Sequence, residues 1–414
     1  MAVISDDCRL ATDNCLEMKT MKKILLLLAL CSVGSFAANL IVPDVACAQF
    51  RRTLKDWTDL EDDWQAKDGT VFQVEFNGVT HGWKWCANDT TTANSIAGVA
   101  PGTVVASTQR GISGRWLLQF DGIVNGELFG ASSLSTGAVN STAIQAAIDA
   151  VPDGTTVTLG EGTFDLSSQL VMNRSVSLVG SGMRTTIIQS SVNGPAIRVN
   201  DGLQASPNEV TGNTVGDLTL DGNDTGTFGL WLGNSGAVGV KSANSGSYTD
   251  LWITGFTDAA IYGDACQLNN FQNVTCTNND GDGFRAGSNP TTSMNTACTF
   301  VNCHFRRNGR GVVLLDGAYA YRFFGSVIEQ NKGLGVTIER DAFGNFLQSF
   351  IDCYFESNCT EFAVSEESNH TNHGAISGSS LPAGSSGDYL TPTSTEAIGG
   401  RTFTGACWQR CGSG

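Results

Sequence analysis

Five stretches of this chain can be laid over one another, and that repetition constrains the fold more than any other feature. They are LWITGFTDAAIYGDA, VTCTNNDGDGFRAG, CHFRRNGRGVVLLD, SVIEQNKGLGVTIE and CYFESNCTEFAVSE. Each holds an apolar residue followed eight places later by a second: Ile253 and Ile261, Cys276 and Phe284, Phe305 and Val313, Ile328 and Val336, Phe355 and Ala363. The first members lie 23, 29, 23 and 27 residues apart. Alternating apolar and polar residues broken by Gly and Asn read as short strands and turns. A period of this length is one coil of a solenoid, in which each coil buries its apolar face only by stacking on its neighbours. The repeat therefore predicts an all-β, parallel β-helix with Ile253, Cys276, Phe305, Ile328 and Phe355 in one interior column.

The stretch before the repeats fits one end of such a stack. In VNSTAIQAAIDAVPDGTTVTLGEGTF, Asn140 or Ser141 reads as an N-cap, and Ala143, Ile144, Ala147 and Ile148 form one apolar helical stripe. Pro152, Asp153 and Gly154 end that helix, and the period then changes to 2. AIQAAIDA, the turn PDGTTV, LGEGTF and SVSLVGSG together resemble the pectate-lyase-like right-handed parallel β-helices, which include bacteriophage tailspikes. Gly111 to Ala131, GISGRWLLQFDGIVNGELFGA, resembles their lead-in segment. Where that family usually carries Asp-Asp-Thr, this chain has Asn140, Ser141 and Thr142. The resemblance implies a right-handed single-stranded β-helix with a capping helix, a polysaccharide or cell-surface glycan as partner and, by analogy with tailspikes, a homotrimer. The Gly-His-Gly and Arg-Ile-Lys signatures of the galacturonase branch are absent.

In a solenoid, residues at equal offsets in successive coils sit about 4.8 Å apart. One place after each first apolar residue come Thr254, Thr277, Arg306, Glu329 and Glu356; eleven places after come Asp264, Gly287, Asp316, Glu339 and Glu366. Both outward columns put carboxylates on neighbouring coils. Two carboxylates about 5–5.5 Å apart are what a retaining glycosidase needs, one as nucleophile and one as acid–base. Glu329 and Glu356 are the first candidate catalytic pair, and Asp316 and Glu339 the second. Arg306, one coil before, favours Glu329 as nucleophile or base and leaves Glu356 as proton donor. Arg306, Arg340 and the outward Trp252 are candidate substrate-binding residues, the tryptophan because its ring can stack on a sugar. The structural alternative is that these acids brace turns and pair with Arg306.

No metal site is predicted: there is no CxxC pair, and His304, His370 and His373 lack zinc spacing. No cofactor is expected, although Ca²⁺ would be needed if the protein were a lyase, with Asp280 and Asp282 as hard ligands and Arg285, Arg306, Arg310 or Arg340 as base. Glycosidase, lyase and non-catalytic spike all remain open. The net charge of −16 argues against nucleic acid as a partner, since phosphate binding needs clustered Lys and Arg.

The remaining chain divides into an extension and leader (1–48), a helix plus small β domain (49–131), the solenoid (132–378) and a Gly/Ser/Thr-rich tail (379–414). Met21, Lys22 and Lys23 followed by ILLLLALCSVGSFAANLIV read as a secretory signal, the apolar run being shorter than the about 20 residues a membrane span needs. An extracellular protein is expected, or by the tailspike resemblance one on a virion tail. Leu54, Trp57, Leu60 and Trp64 suggest one face of a short helix. The tryptophans of residues 69–131, with Phe72 and Phe76, read as core. Thirteen cysteines cannot all pair; Cys276, Cys303 and Cys353 fall at inward places as small buried hydrophobes, and Cys407 and Cys411 are placed to close a tail loop.

Overall fold

The computed structural model describes residues 53–54, 68–76, 79–89, 93, 102–106, 114–202, 209–234, 241–287, 295–315, 317–338, 348–364, 375–377 and 402–404. The leader, Trp57, Leu60, Trp64, Cys407 and Cys411 lie outside them.

Parallel strands wind into a right-handed β-helix, each coil pairing with the one before and after. A coil presents four strand segments, the shortest of which build a five-stranded parallel sheet running from Glu209–Thr211 to Ala318–Tyr319. Ser247–Thr254 crosses faces one and two, turning at Asp250, whose φ of 52° is left-handed. Later coils split this strand: Thr299–Val301 lies on face one and His304–Arg306 on face two, with Asn302 (φ 53°) at the bend. Face three is a sheet of eight parallel strands from Leu170–Met172 to Thr360–Val364.

The interior column forms as the repeat predicts. Ile253, Cys276, Phe305, Ile328 and Phe355 are register partners on successive coils, and none is more than 1% exposed. A second column, Tyr248, Phe271, Phe300, Phe323 and Phe350, stacks its rings at 4.9, 4.3, 4.6 and 4.7 Å. The inter-strand spacing is itself close to an aromatic stacking distance, so equal offsets place ring on ring. Cys276, Cys303 and Cys353 are buried among these columns as free thiols. Burial pushes the Cys303 thiol up to about 12 and the Cys353 thiol up to about 11, so both pack as uncharged side chains.

The second apolar position departs from the repeat. Phe284 pairs with Val312, Val312 with Val336, and Val336 with Phe362, so Val313 and Ala363 stand one place out of the expected column. The turns after Phe305 and Phe355 are one residue shorter than those after Cys276 and Ile328. Gly309 serves the first of these short turns: a Cβ there would lie 2.2 Å from the Asp280 carbonyl oxygen.

Buried asparagines hold the turns between faces two and three. Asn279 donates to Asn308 at 2.8 Å, Asn308 to Asn331 at 3.2 Å and Asn331 to Asn358 at 2.7 Å. Each also donates to a carbonyl one coil back, as Asn308 does to Cys276 at 3.0 Å. Their sequence separations of 29, 23 and 27 are the repeat lengths. Asn278, with φ 56°, supplies the left-handed corner.

The helix α1, Gly137–Ala150, caps the first coil, and Ala143, Ile144, Ala147 and Ile148 face the core. Neither Asn140 nor Ser141 is its N-cap: the helix starts a turn earlier, after Thr136, and both side chains work inside it. Asn140 accepts from the Ser132 amide at 2.9 Å, tying down the lead-in. Ser141 accepts from the Ser167 amide at 3.0 Å. Gln145 imitates a neighbouring strand, accepting from the Val171 amide at 2.7 Å and donating to its carbonyl at 2.9 Å. The free edge of the first face-three strand is thereby closed.

Before the solenoid, Val71–Phe76, Val79–Cys86, Val104–Ala106 and Arg115–Gln119 make a small antiparallel sheet. Trp83, Trp85 and Trp116 are its buried core, and Phe72 stacks on Trp116 at 5.0 Å. Leu54 belongs to a two-residue strand paired parallel with this sheet and not to a helix. Backbone pairing with the Gln73–Val74 edge outweighs a local apolar periodicity.

Candidate functional site

On face two, inward and outward residues alternate, so the outward ones form two columns. One is Thr254, Thr277, Arg306, Glu329 and Glu356, in the register the sequence predicts. The other is Trp252, Thr275, His304, Val327 and Tyr354, two places earlier on the same strands. Glu329 and Glu356 are thus directly adjacent on neighbouring coils. Among them, Glu329 is the more enclosed, at 14% side-chain exposure.

Each carboxylate has its own hydrogen-bond donor. His304 Nε2 lies 3.0 Å from Glu329 Oε1, and Arg306 Nη1 lies 4.0 Å from the same oxygen. The Tyr354 hydroxyl donates to Glu356 Oε2 at 2.7 Å. Arg306 also donates from Nε to Thr277 Oγ1 at 3.4 Å, which draws its side chain back over the preceding coil. Burial lowers the pKa of His304; Glu329 works against that shift and Arg306 adds to it. The imidazole is therefore neutral near pH 7, and with its proton on Nε2 it donates to Glu329. Two acids, a neutral histidine, a guanidinium and a phenol on one strip can hold and transfer protons at a bound ligand.

Sequence reasoning missed His304 and Tyr354. The available signal was the period of 2: H-x-R and Y-x-E place them outward beside Arg306 and Glu356. Trp252, already a candidate, shares their column, and the Arg184 guanidinium lies 3.9 Å over its ring.

Asp316, Glu339 and Arg340 lie outside the described residues. The last described pairing before them is Leu314 with Ile338. Of the arginines considered as a base, Arg285 and Arg310 are both committed to Asp282, at 2.5 and 2.6 Å, on face three. Asp280 pairs with Lys332 at 2.7 Å. Among the described residues, Arg306 is the one of these arginines that stands with the face-two carboxylates. Among the described residues no helix is long and apolar enough to cross a membrane.

No family model and no curated protein sequence matches this chain. Its coils are similar to solved structures. The enzymatically active domain of tailspike protein 2 from bacteriophage CBA120 aligns with TM-score 0.54 and 16% identity over 80% of this chain and 52% of that one. The tailspike gp49 of Acinetobacter baumannii bacteriophage Fri1, described as a capsular polysaccharide depolymerase, aligns with TM-score 0.51 and 13% identity over 87% and 75%. The chain spans about half the length of the first of these. At such identities the likeness shows the fold. This chain has the right-handed parallel β-helix fold of the tailspikes.

Proposed function

We propose that this protein binds a polysaccharide along face two and hydrolyses its glycosidic bonds, with Glu329 and Glu356 as the reacting pair. The observation that carries this reading is their register partnership on adjacent coils, each with a separate donor. Glu329, held by His304 with Arg306 alongside, attacks the anomeric carbon. Glu356, oriented by Tyr354, protonates the departing oxygen. The covalent glycosyl intermediate is then opened by water, whose proton returns to Glu356. The tailspike fold supports an extracellular setting, secreted or on a virion tail, and a homotrimer.

A binding spike without catalysis is the second reading, favoured by the prior engagement of Glu329 with His304. A panel of neutral and acidic glycans, incubated with and without EDTA, distinguishes the readings. The proposal expects new reducing ends that survive EDTA and disappear in Glu329→Gln and Glu356→Gln. An EDTA-sensitive activity yielding unsaturated ends makes the protein a lyase, and full activity in both variants ends the assignment.

A further inference from the structure

Face two does not end at the carboxylates. Trp252 stands in the same outward plane three coils before Glu329, by way of Thr275 and His304, which is about 14 Å at about 4.8 Å per coil. Beyond it face two continues into Thr186–Ser190, and the loop Gly180–Thr185 that leads into this strand lies against the face: the Arg184 amide donates to Thr219 Oγ1 at 3.1 Å, and Thr219 is the register partner of Trp252. Arg184 itself has φ 74°, uncommon for a side-chain-bearing residue, and is exposed. Its guanidinium stacks on the indole at 3.9 Å and makes no ion pair with a carboxylate among the described residues.

A guanidinium stacked on a ring keeps its in-plane N–H donors free, and their fork matches a carboxylate. In a chain of net charge −16, an exposed cation that makes no ion pair among the described residues is selective for an anionic ligand group. We infer that Arg184 and Trp252 form a remote subsite for a carboxylate-bearing sugar unit. The ligand of face two is then an acidic glycan long enough to reach from this subsite to Glu329. This rests on the glycan reading above and deepens it.

The test uses size-fractionated fragments of acidic and neutral bacterial capsular polysaccharides. Binding is measured by calorimetry in a Glu329→Gln background so that ligands stay intact. Arg184→Ala should weaken acidic hexasaccharides about tenfold and leave disaccharides and neutral fragments unchanged; Arg184→Lys should recover part of the loss, having charge without the fork. Equal losses on short and long fragments, or no loss on long acidic ones, overturn the subsite. Binding of neutral fragments alone overturns it while the glycan reading stands. If the protein binds no fragment of either kind, both fall.

Discussion

Faces two and three are built on the same lattice of coils, and they use it in opposite ways. On face three, neighbouring coils bring opposite charges together. Asp282, 3% exposed, lies between Arg285 at 2.5 Å and Arg310 at 2.6 Å, and Arg285 also reaches Asp258 at 2.6 Å. Beside them Phe228, Trp231 and Tyr262 pack edge-on at 4.8 and 4.7 Å, with Arg198 over the indole at 4.4 Å. On face two, the lattice brings Glu329 against Glu356. Like charges directly opposite in a sheet are unfavourable, and a change of either residue would relieve them. One face therefore pairs acid with base across coils, and the other sets two acids in register, an arrangement that stability alone does not ask for.

The broadest break of that comparison is a crossed pair of substitutions. Glu329→Gln should lower cleavage by about 10²-fold or more, as loss of a proton-transferring or nucleophilic group does, while the melting temperature stays level or rises. Asp282→Asn should do the reverse. Its loss leaves Arg310 uncompensated and Arg285 with Asp258 alone, but both guanidinium groups are partly solvated, so the cost is about 1–3 kcal/mol by chemical denaturation, with cleavage unchanged. A destabilised Glu329→Gln protein would return that residue to a structural role.

The asparagine ladder separates the faces and should respond like face three. Asn308→Ala strands the Cys276 carbonyl and the partners on both neighbouring coils, at a cost of about 1–3 kcal/mol. Guanidinium titration measures it. Tyr354→Phe is milder: it removes one hydroxyl from Glu356 and should lower cleavage a few-fold without changing stability.

Much of this was legible in the sequence because a solenoid converts spacing into contact. The column from Ile253 to Phe355 and the carboxylates one place along it follow from the separations of 23, 29, 23 and 27 alone. The second apolar column was not, since GVVLL after Phe305 is apolar at every place and offers no alternation to fix its register. Asn140 and Ser141 misled for a different reason: good capping residues are also good at bonding free strand amides, and here the Ser132 and Ser167 amides claim them. His304 was weighed only for zinc spacing, which it lacks, and its place beside Glu329 appears once the columns are superposed.

His304 gives the smallest effect and the finest contrast between regions. Burial lowers its pKa, and the neighbouring charges of Glu329 and Arg306 pull in opposite directions. A histidine lowered in this way binds its proton more readily in the unfolded chain. Its contribution to stability is therefore complete above the ordinary value of about 6.5 and is lost as pH falls toward the folded value. His81, in the small antiparallel sheet, is also lowered by burial and contributes with the same sign. Melting curves between about pH 8 and pH 5 should thus be flattened slightly by His304→Gln and by His81→Gln alike. Cleavage should separate them: protonating His304 changes the donor that holds Glu329, so only His304→Gln should alter the acid limb of the pH–rate profile. If both variants leave that limb unchanged, His304 merely packs beside Glu329, and the positioning of the nucleophile falls to Arg306.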